Sequence, residues 1–271
     1  AASSTSPPGS IRPSKPPLED AVDARHEAGH GSGESTHQPK SDPNSIVYLA
    51  FTSGTTGQPK GVMHSDNTLL ASARAIAADW QIDNTSVVYT LSPLSHNLGF
   101  GAMVMSLLAG GELVVHDLPR GASLVDRILE TGTSFLVGVP VHAIDLLAEL
   151  RRRSLNSLGR LKGFRISGAA ASSAVVAGLI EHGVVPQSGY GMTETCSHQY
   201  TLPTDDSKRI IETSGRAFAG YEVRIFRADD PDTEAPPEAI GQIGGRGASL
   251  MLGYFDDQKA TEESFNAHGW F

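Results

Sequence analysis

Cysteine is almost missing from this chain: Cys196 is the single one among 271 residues. A lone cysteine excludes an intrachain disulfide and any metal site built from several thiolates. It suits a reducing, cytoplasmic setting. Long apolar runs are missing too, and without 18 uninterrupted apolar residues no membrane-spanning helix is expected. The first residues lack the apolar core of a secretory signal. Basic residues are outnumbered, 21 Lys and Arg against 30 Asp and Glu, for a net charge of −9. That balance argues against broad binding to nucleic acid or an anionic membrane. It leaves room for a small polyanion held by local donors. What the chain does have is glycine, 29 residues, and an ordinary hydrophobic share of 39%. The length suits one large domain or two smaller ones with ample core.

Taken in order, residues 1–45 are rich in Ser, Pro, Gly and charge, and read as a mobile leader. They contain His26-Glu27-Ala28-Gly29-His30, the spelling of a zinc-hydrolase helix. Gly29, Gly31 and Gly33 disfavour the helix that would put both imidazoles on one face. From Ile46 the pattern alternates. Ile46–Phe51 reads as a buried strand, 67–80 as a helix, 87–91 as a strand and 100–108 as an apolar helix stopped by Gly110-Gly111. Strands at 113–115, 135–137 and 164–166 alternate with helices at 124–130, 141–153 and 174–182. This rhythm predicts an α/β fold over 46–212, with a mostly parallel sheet and flanking helices. After Thr213 the strands at 223–226 and 240–246 predict a small antiparallel β region over 213–271.

Parallel sheets bind ligands at the carboxyl ends of their strands. Four segments are expected at such ends. The first is Thr52-Ser53-Gly54-Thr55-Thr56-Gly57-Gln58-Pro59-Lys60-Gly61. Its glycines free the backbone, its hydroxyls add donors and Lys60 adds a point charge, all suited to a polyphosphate. The bland alternative is a linker of small polar residues. It is not the Walker pattern, because Gly54 and Gly57 are three apart and Pro59 precedes Lys60. The second is Gly189-Tyr190-Gly191-Met192-Thr193-Glu194-Thr195. A carboxylate beside a hydroxyl can hold Mg²⁺ against phosphate oxygens, and Tyr190 offers a flat face to a base. Read structurally, the same string is a glycine turn with Thr193 as a helix cap. The third, Ser167-Gly168-Ala169-Ala170-Ala171, is small enough to let a ring approach the backbone. The fourth, Ser92-Pro93-Leu94-Ser95-His96-Asn97, carries one histidine, which on its own is as readily structural as functional.

The first loop, matched from Thr52 to Val62, resembles the phosphate loop of the AMP-forming acyl-CoA synthetases in the adenylate-forming superfamily. The second string resembles the same family, and Met192 favours its acyl-CoA ligase branch over peptide-synthetase adenylation domains. Gly61 to Ser65 and the segment around His96 look closest to cyclohexanecarboxylate-CoA ligases. The resemblance implies an enzyme that activates a carboxylic acid with ATP and Mg²⁺ and passes the acyl group to CoA. It implies catalytic roles for Lys60, Thr193 and Glu194, with Glu194 serving the metal. It implies nucleotide contacts from Thr52, Ser53, Gly54, Thr55, Thr56, Gly57, Lys60, Gly168, Ala169, Ala170, Gly189, Tyr190, Gly191, Met192 and Thr193. His96, Asn97, Gly189 and Met192 are implied at the acid. The likeness runs over residues 46–271, where Gly241-Gln242-Ile243, Gly253-Tyr254 and Gly269-Trp270-Phe271 recur in order. Relatives continue into a ribose-binding Asp and a small lid domain with a catalytic Lys, so this chain is expected to be a central piece of a longer enzyme. Two alternatives stay open: a binding unit that holds ATP or acid without turnover, and an aryl-acid adenylating enzyme that feeds a carrier protein.

Overall fold

The computed structural model describes residues 42–52 and 59–271. In chain order the elements are β1 (Ile46–Thr52), β2 (Lys60–Ser65), α1 (Asp66–Asp79), β3 (Val87–Thr90), α2 (Asn97–Ala109), β4 (Glu112–Val115), α3 (Leu124–Thr131), β5 (Phe135–Gly138), α4 (Pro140–Arg153), β6 (Gly163–Ile166), α5 (Ser173–Glu181), β7 (Val185–Met192), β8 (Cys196–Tyr200), α6 (Ser207–Glu212), β9 (Arg216–Ala217), β10 (Tyr221–Phe226), β11 (Gln242–Gly247), β12 (Gly253–Tyr254) and α7 (Gln258–Glu263). Seven strands form the main sheet in the order β4-β3-β5-β6-β7-β8-β9. The pairs from β4 through β7 are parallel, and those from β7 through β9 are antiparallel. Separate small sheets join β1-β2-β12 and β10-β11. The fold is the expected one: α/β, a mostly parallel sheet and a small antiparallel region.

A parallel sheet covered on both faces needs strands that are apolar on both faces. β5 meets this requirement: Leu136 joins a core with Leu146 and Leu150 of α4, while Phe135 and Val137 face Met105 of α2 and Ile76 of α1. Burying a leucine such as Leu146 contributes about 2 kcal/mol. The helices start and stop where their caps say. Ser65 and Thr68 form a reciprocal capping box for α1, Ser123 caps α3, and Gly110 and Gly132 end α2 and α3 in the left-handed conformation.

Three expectations need correction. Ile46–Phe51 is a strand, but not a buried one: Ile46 is 52% and Phe51 69% exposed. β1 is an edge strand that pairs with β2 alone, and no layer of described residues covers its outer side chains. Second, β1 is not a strand of the parallel sheet. The glycine loop joins antiparallel β1 and β2, with Thr52 paired to Lys60, and a helix begins only after β2. Third, Gly189–Met192 is strand rather than loop, because the chain leaves β6 at Ser188 and pairs onward with β8. No helix follows for Thr193 to cap. Residues 1–41, with the His26–His30 string, and Ser53, Gly54, Thr55, Thr56 and Gly57 lie outside the described residues. Cys196 is free and buried, and among the described residues no helix is long and apolar enough to cross a membrane.

Candidate functional site

β7 and β8 form a hairpin whose three-residue tip is Thr193-Glu194-Thr195. Met192 pairs with Cys196 across it, and Cys196 takes a positive φ of 53° to close the turn. Gly191 must be glycine, because a Cβ there would stand 2.0 Å from the Cys196 carbonyl oxygen. The three tip carbonyls accept hydrogen bonds from two other segments of the chain. Thr193 O accepts from His64 Nε2 at 2.7 Å, Glu194 O from the Met251 N–H at 2.7 Å and Thr195 O from the Ser249 hydroxyl at 2.8 Å. β2, the hairpin and the segment before β12 are thereby locked together. His64 is fully buried, and burial holds its pKa below the ordinary histidine value. As a neutral ring donating from Nε2, it keeps Nδ1 for the Thr68 hydroxyl, 3.0 Å away.

The tip brings Glu194 to Lys60. Glu194 is 6% exposed, and its Oε1 accepts from the Tyr254 hydroxyl at 2.9 Å. The Lys60 ammonium lies 4.6 Å from the centre of the same Tyr254 ring. One aromatic ring therefore carries a cation on its face and a carboxylate on its edge. Burial and the Glu194 bond push the Tyr254 phenol up to about 12, so it stays a donor. Sequence reasoning quoted Tyr254 as a recurring residue but gave it no role, since only the pairing of β12 with β2 delivers it here. His64 and Ser249 were missed for the same reason.

Thr52, Lys60, His96, Asn97, Gly168, Ala169, Gly191, Met192, Thr193 and Glu194 all line one cleft of about 970 Å³. Val139, Pro140 and Val141, at the start of α4, form another wall. Gly168, Ala169 and Gly191 also line a neighbouring cavity of about 400 Å³, which adds Ala170, Gly189 and Tyr190. The two spaces therefore share a wall of small residues. Tyr190 stands edge-on to His198, with ring centres 5.4 Å apart. His96 has a structural task as well, because its Nδ1 caps α2 by accepting from the Leu98 N–H at 3.2 Å. Every sequence-selected site residue among the described ones faces one of these two spaces.

The chemistry available is that of an anion site with one acidic group. Lys60 supplies positive charge at the start of β2, and Glu194 supplies one carboxylate. No group of three or more His, Cys, Asp or Glu that could hold a metal alone occurs among the described residues. One carboxylate matches the way Mg²⁺ is usually held, by one or two acids plus substrate phosphates and water.

The family description AMP-binding enzyme matches residues 6–255. The medium-chain fatty-acid–CoA ligase of Escherichia coli K12 is 30% identical over 227 residues, covering 83% of this chain and 40% of that protein. The 2-succinylbenzoate–CoA ligase of Enterococcus faecalis is 28% identical, over 89% of this chain and 49% of its own length. Among solved structures, the AMP complex of O-succinylbenzoate coenzyme A synthetase from Bacillus subtilis superposes with a TM-score of 0.76 at 26% identity, covering 85% of this chain and 46% of that one. The chain thus spans about half the length, or less, of the relatives it matches.

Proposed function

This chain belongs to the AMP-binding enzyme family, and on that premise we propose that it is part of an acid–thiol ligase. A carboxylate oxygen attacks the α-phosphorus of ATP, and the bond to the leaving pyrophosphate breaks. The resulting acyl-adenylate meets the thiol of CoA, which loses its proton, bonds to the acyl carbon and expels AMP. No protein nucleophile is needed. The chain's task is to align the reactants and offset the charge that builds on phosphorus.

The observation that carries this reading is the Lys60–Tyr254–Glu194 contact, which sets a cation and an acid on one ring. Lys60, Thr52 and the loop residues Ser53, Gly54, Thr55, Thr56 and Gly57 would hold the pyrophosphate end. Glu194 would hold Mg²⁺, which when bound supplies positive charge to the phosphate oxygens. Thr193, fixed through its carbonyl by His64, would contact the α-phosphate. The adenine would lie along Gly168, Ala169 and Ala170 with Tyr190 on its face. His96, Asn97, Gly189 and Met192 would meet the acid.

A second reading rests on coverage. Because the chain spans 40–49% of the relatives above, on its own it would hold nucleotide and acid without turnover. Calorimetric titration with ATP and Mg²⁺ tests both readings. ATP should bind the chain, and Lys60→Ala should weaken binding about tenfold, the loss of one charge-assisted contact. Identical titrations for the parent and the variant would end the phosphate assignment. Thioester formation from acid, ATP and CoA by the chain alone would refute the second reading.

A further inference from the structure

The cleft has an inner chamber that the chemistry above leaves unused. A narrow cavity of about 40 Å³ lies between α1, α2 and the sheet, and shares Asn97, Leu98, Cys196 and Ser197 with the cleft. Its walls are largely apolar, with Ala73, Ile76, Ala102, Met105 and Val137 among them. One guanidinium stands in this apolar wall. β6 sends Phe164 and Ile166 into the core on one face of the sheet and Arg165 into the cavity on the other.

Arg165 is 4% exposed. Its only partner among the described residues is the side-chain carbonyl of Gln187, to which Nη1 donates, and no described carboxylate pairs with it. Two neighbours that could carry negative charge do not. Burial pushes the Cys196 thiol up to about 12 and raises the Tyr200 phenol well above its ordinary value, so both are neutral. Burial lowers the Arg165 guanidinium to about 10, which leaves it charged at neutral pH. Beside it, the Gln187 Nε2 is buried without an acceptor among the described residues. An arginine offers five donors in a rigid fork. Burying such a charge with one neutral acceptor is costly unless an anion completes it. The anion that matches the fork is a carboxylate. A cavity of 40 Å³ has room for about three water-sized groups, since one water needs about 10–15 Å³ of this measure. That is the space for a terminal carboxylate and little more.

We propose that Arg165 receives the distal carboxylate of a short dicarboxylic acid whose other carboxylate is the one activated in the cleft. This rests on the reading of the cleft as the acid-activating site. It makes Arg165 the residue that selects diacids over monoacids.

The test titrates the 271-residue chain with glutarate and with pentanoate, acids of equal carbon number. Glutarate should bind about tenfold more tightly or better, the worth of a hydrogen-bonded charge pair. Arg165→Met should bring glutarate down to the level of pentanoate and leave pentanoate unchanged. Should Arg165→Met fail to fold, Gln187→Glu gives the arginine an internal carboxylate and should erase the same preference. Equal affinity of the parent for the two acids, no binding of either, or a preference that survives both variants overturns the proposal. ATP titrated separately reports on the nucleotide reading alone. A diacid preference without ATP binding would sink that reading and leave the Arg165 assignment standing.

Discussion

Tyr254 shows how much a single side chain can organise. Its hydroxyl donates to a nearly buried carboxylate while its face holds an ammonium. These contacts use different parts of the ring and can be separated. Tyr254→Phe removes the donor and keeps the face. Urea unfolding should show a loss of about 1–3 kcal/mol, the worth of a hydrogen bond to a charged group plus the carboxylate left unpaired. An unchanged midpoint would mean that the bond to Glu194 is not formed in solution. Arg165 is the opposite case, a charged side chain whose neighbours do not complete it.

At the scale of the element, the β7–β8 hairpin is held at its tip by its surroundings as well as by its own ladder. Its register shifts between Tyr190 and Met192, and its three tip carbonyls are satisfied by β2, Ser249 and Met251. Such a tip cannot drift, and a rigid tip fixes Glu194 relative to Lys60 before any ligand arrives. Its weak point is steric. Gly191→Ala puts a methyl group into the Cys196 carbonyl and should cost at least about 3 kcal/mol. Gly101→Ala is the matched control, because a Cβ there meets nothing within 4 Å. It lies inside α2 and should stabilise by about 0.5–1 kcal/mol through helix propensity. Chemical denaturation of both variants decides it, and equal effects would contradict the close approach at Gly191.

For the whole molecule, the buried histidines set an acid limit. His198 is 2% exposed, pressed 4.7 Å from the Tyr221 ring, and burial lowers it from 6.5 to about 4. His64 is lowered in the same direction. In the unfolded chain both protonate near pH 6.5, while in the folded chain they resist. The unfolded state therefore binds more protons in this window, and stability falls as pH drops from about 6.5 towards 4. His198 alone accounts for about 3 kcal/mol of that fall. Urea midpoints measured from pH 8 to pH 4 should decline through this range, and His198→Gln should flatten the decline. A midpoint that stays level down to pH 4 would rule out both buried neutral rings.

The residues that announce the chemistry, Lys60 after its glycine loop and Thr193-Glu194 after Tyr190-Gly191, are legible in the sequence because a site for phosphate needs particular donors in a short local string. The helices and central strands are legible too: Leu136 between Phe135 and Val137 marks a strand buried on both faces, and Ser123 and Gly132 bracket a helix. What the string of letters leaves undecided is every arrangement that depends on distant partners. That β1 turns back on β2 instead of joining the parallel sheet, that Tyr254 reaches Glu194, and that His64 holds the Thr193 carbonyl all follow from pairings between segments far apart in the chain. Arg165 reads as an ordinary strand residue until α1 and α2 close over it. Local strings carry backbone propensity and donor chemistry; burial and pairing belong to the packed molecule, so only the tertiary structure could decide them.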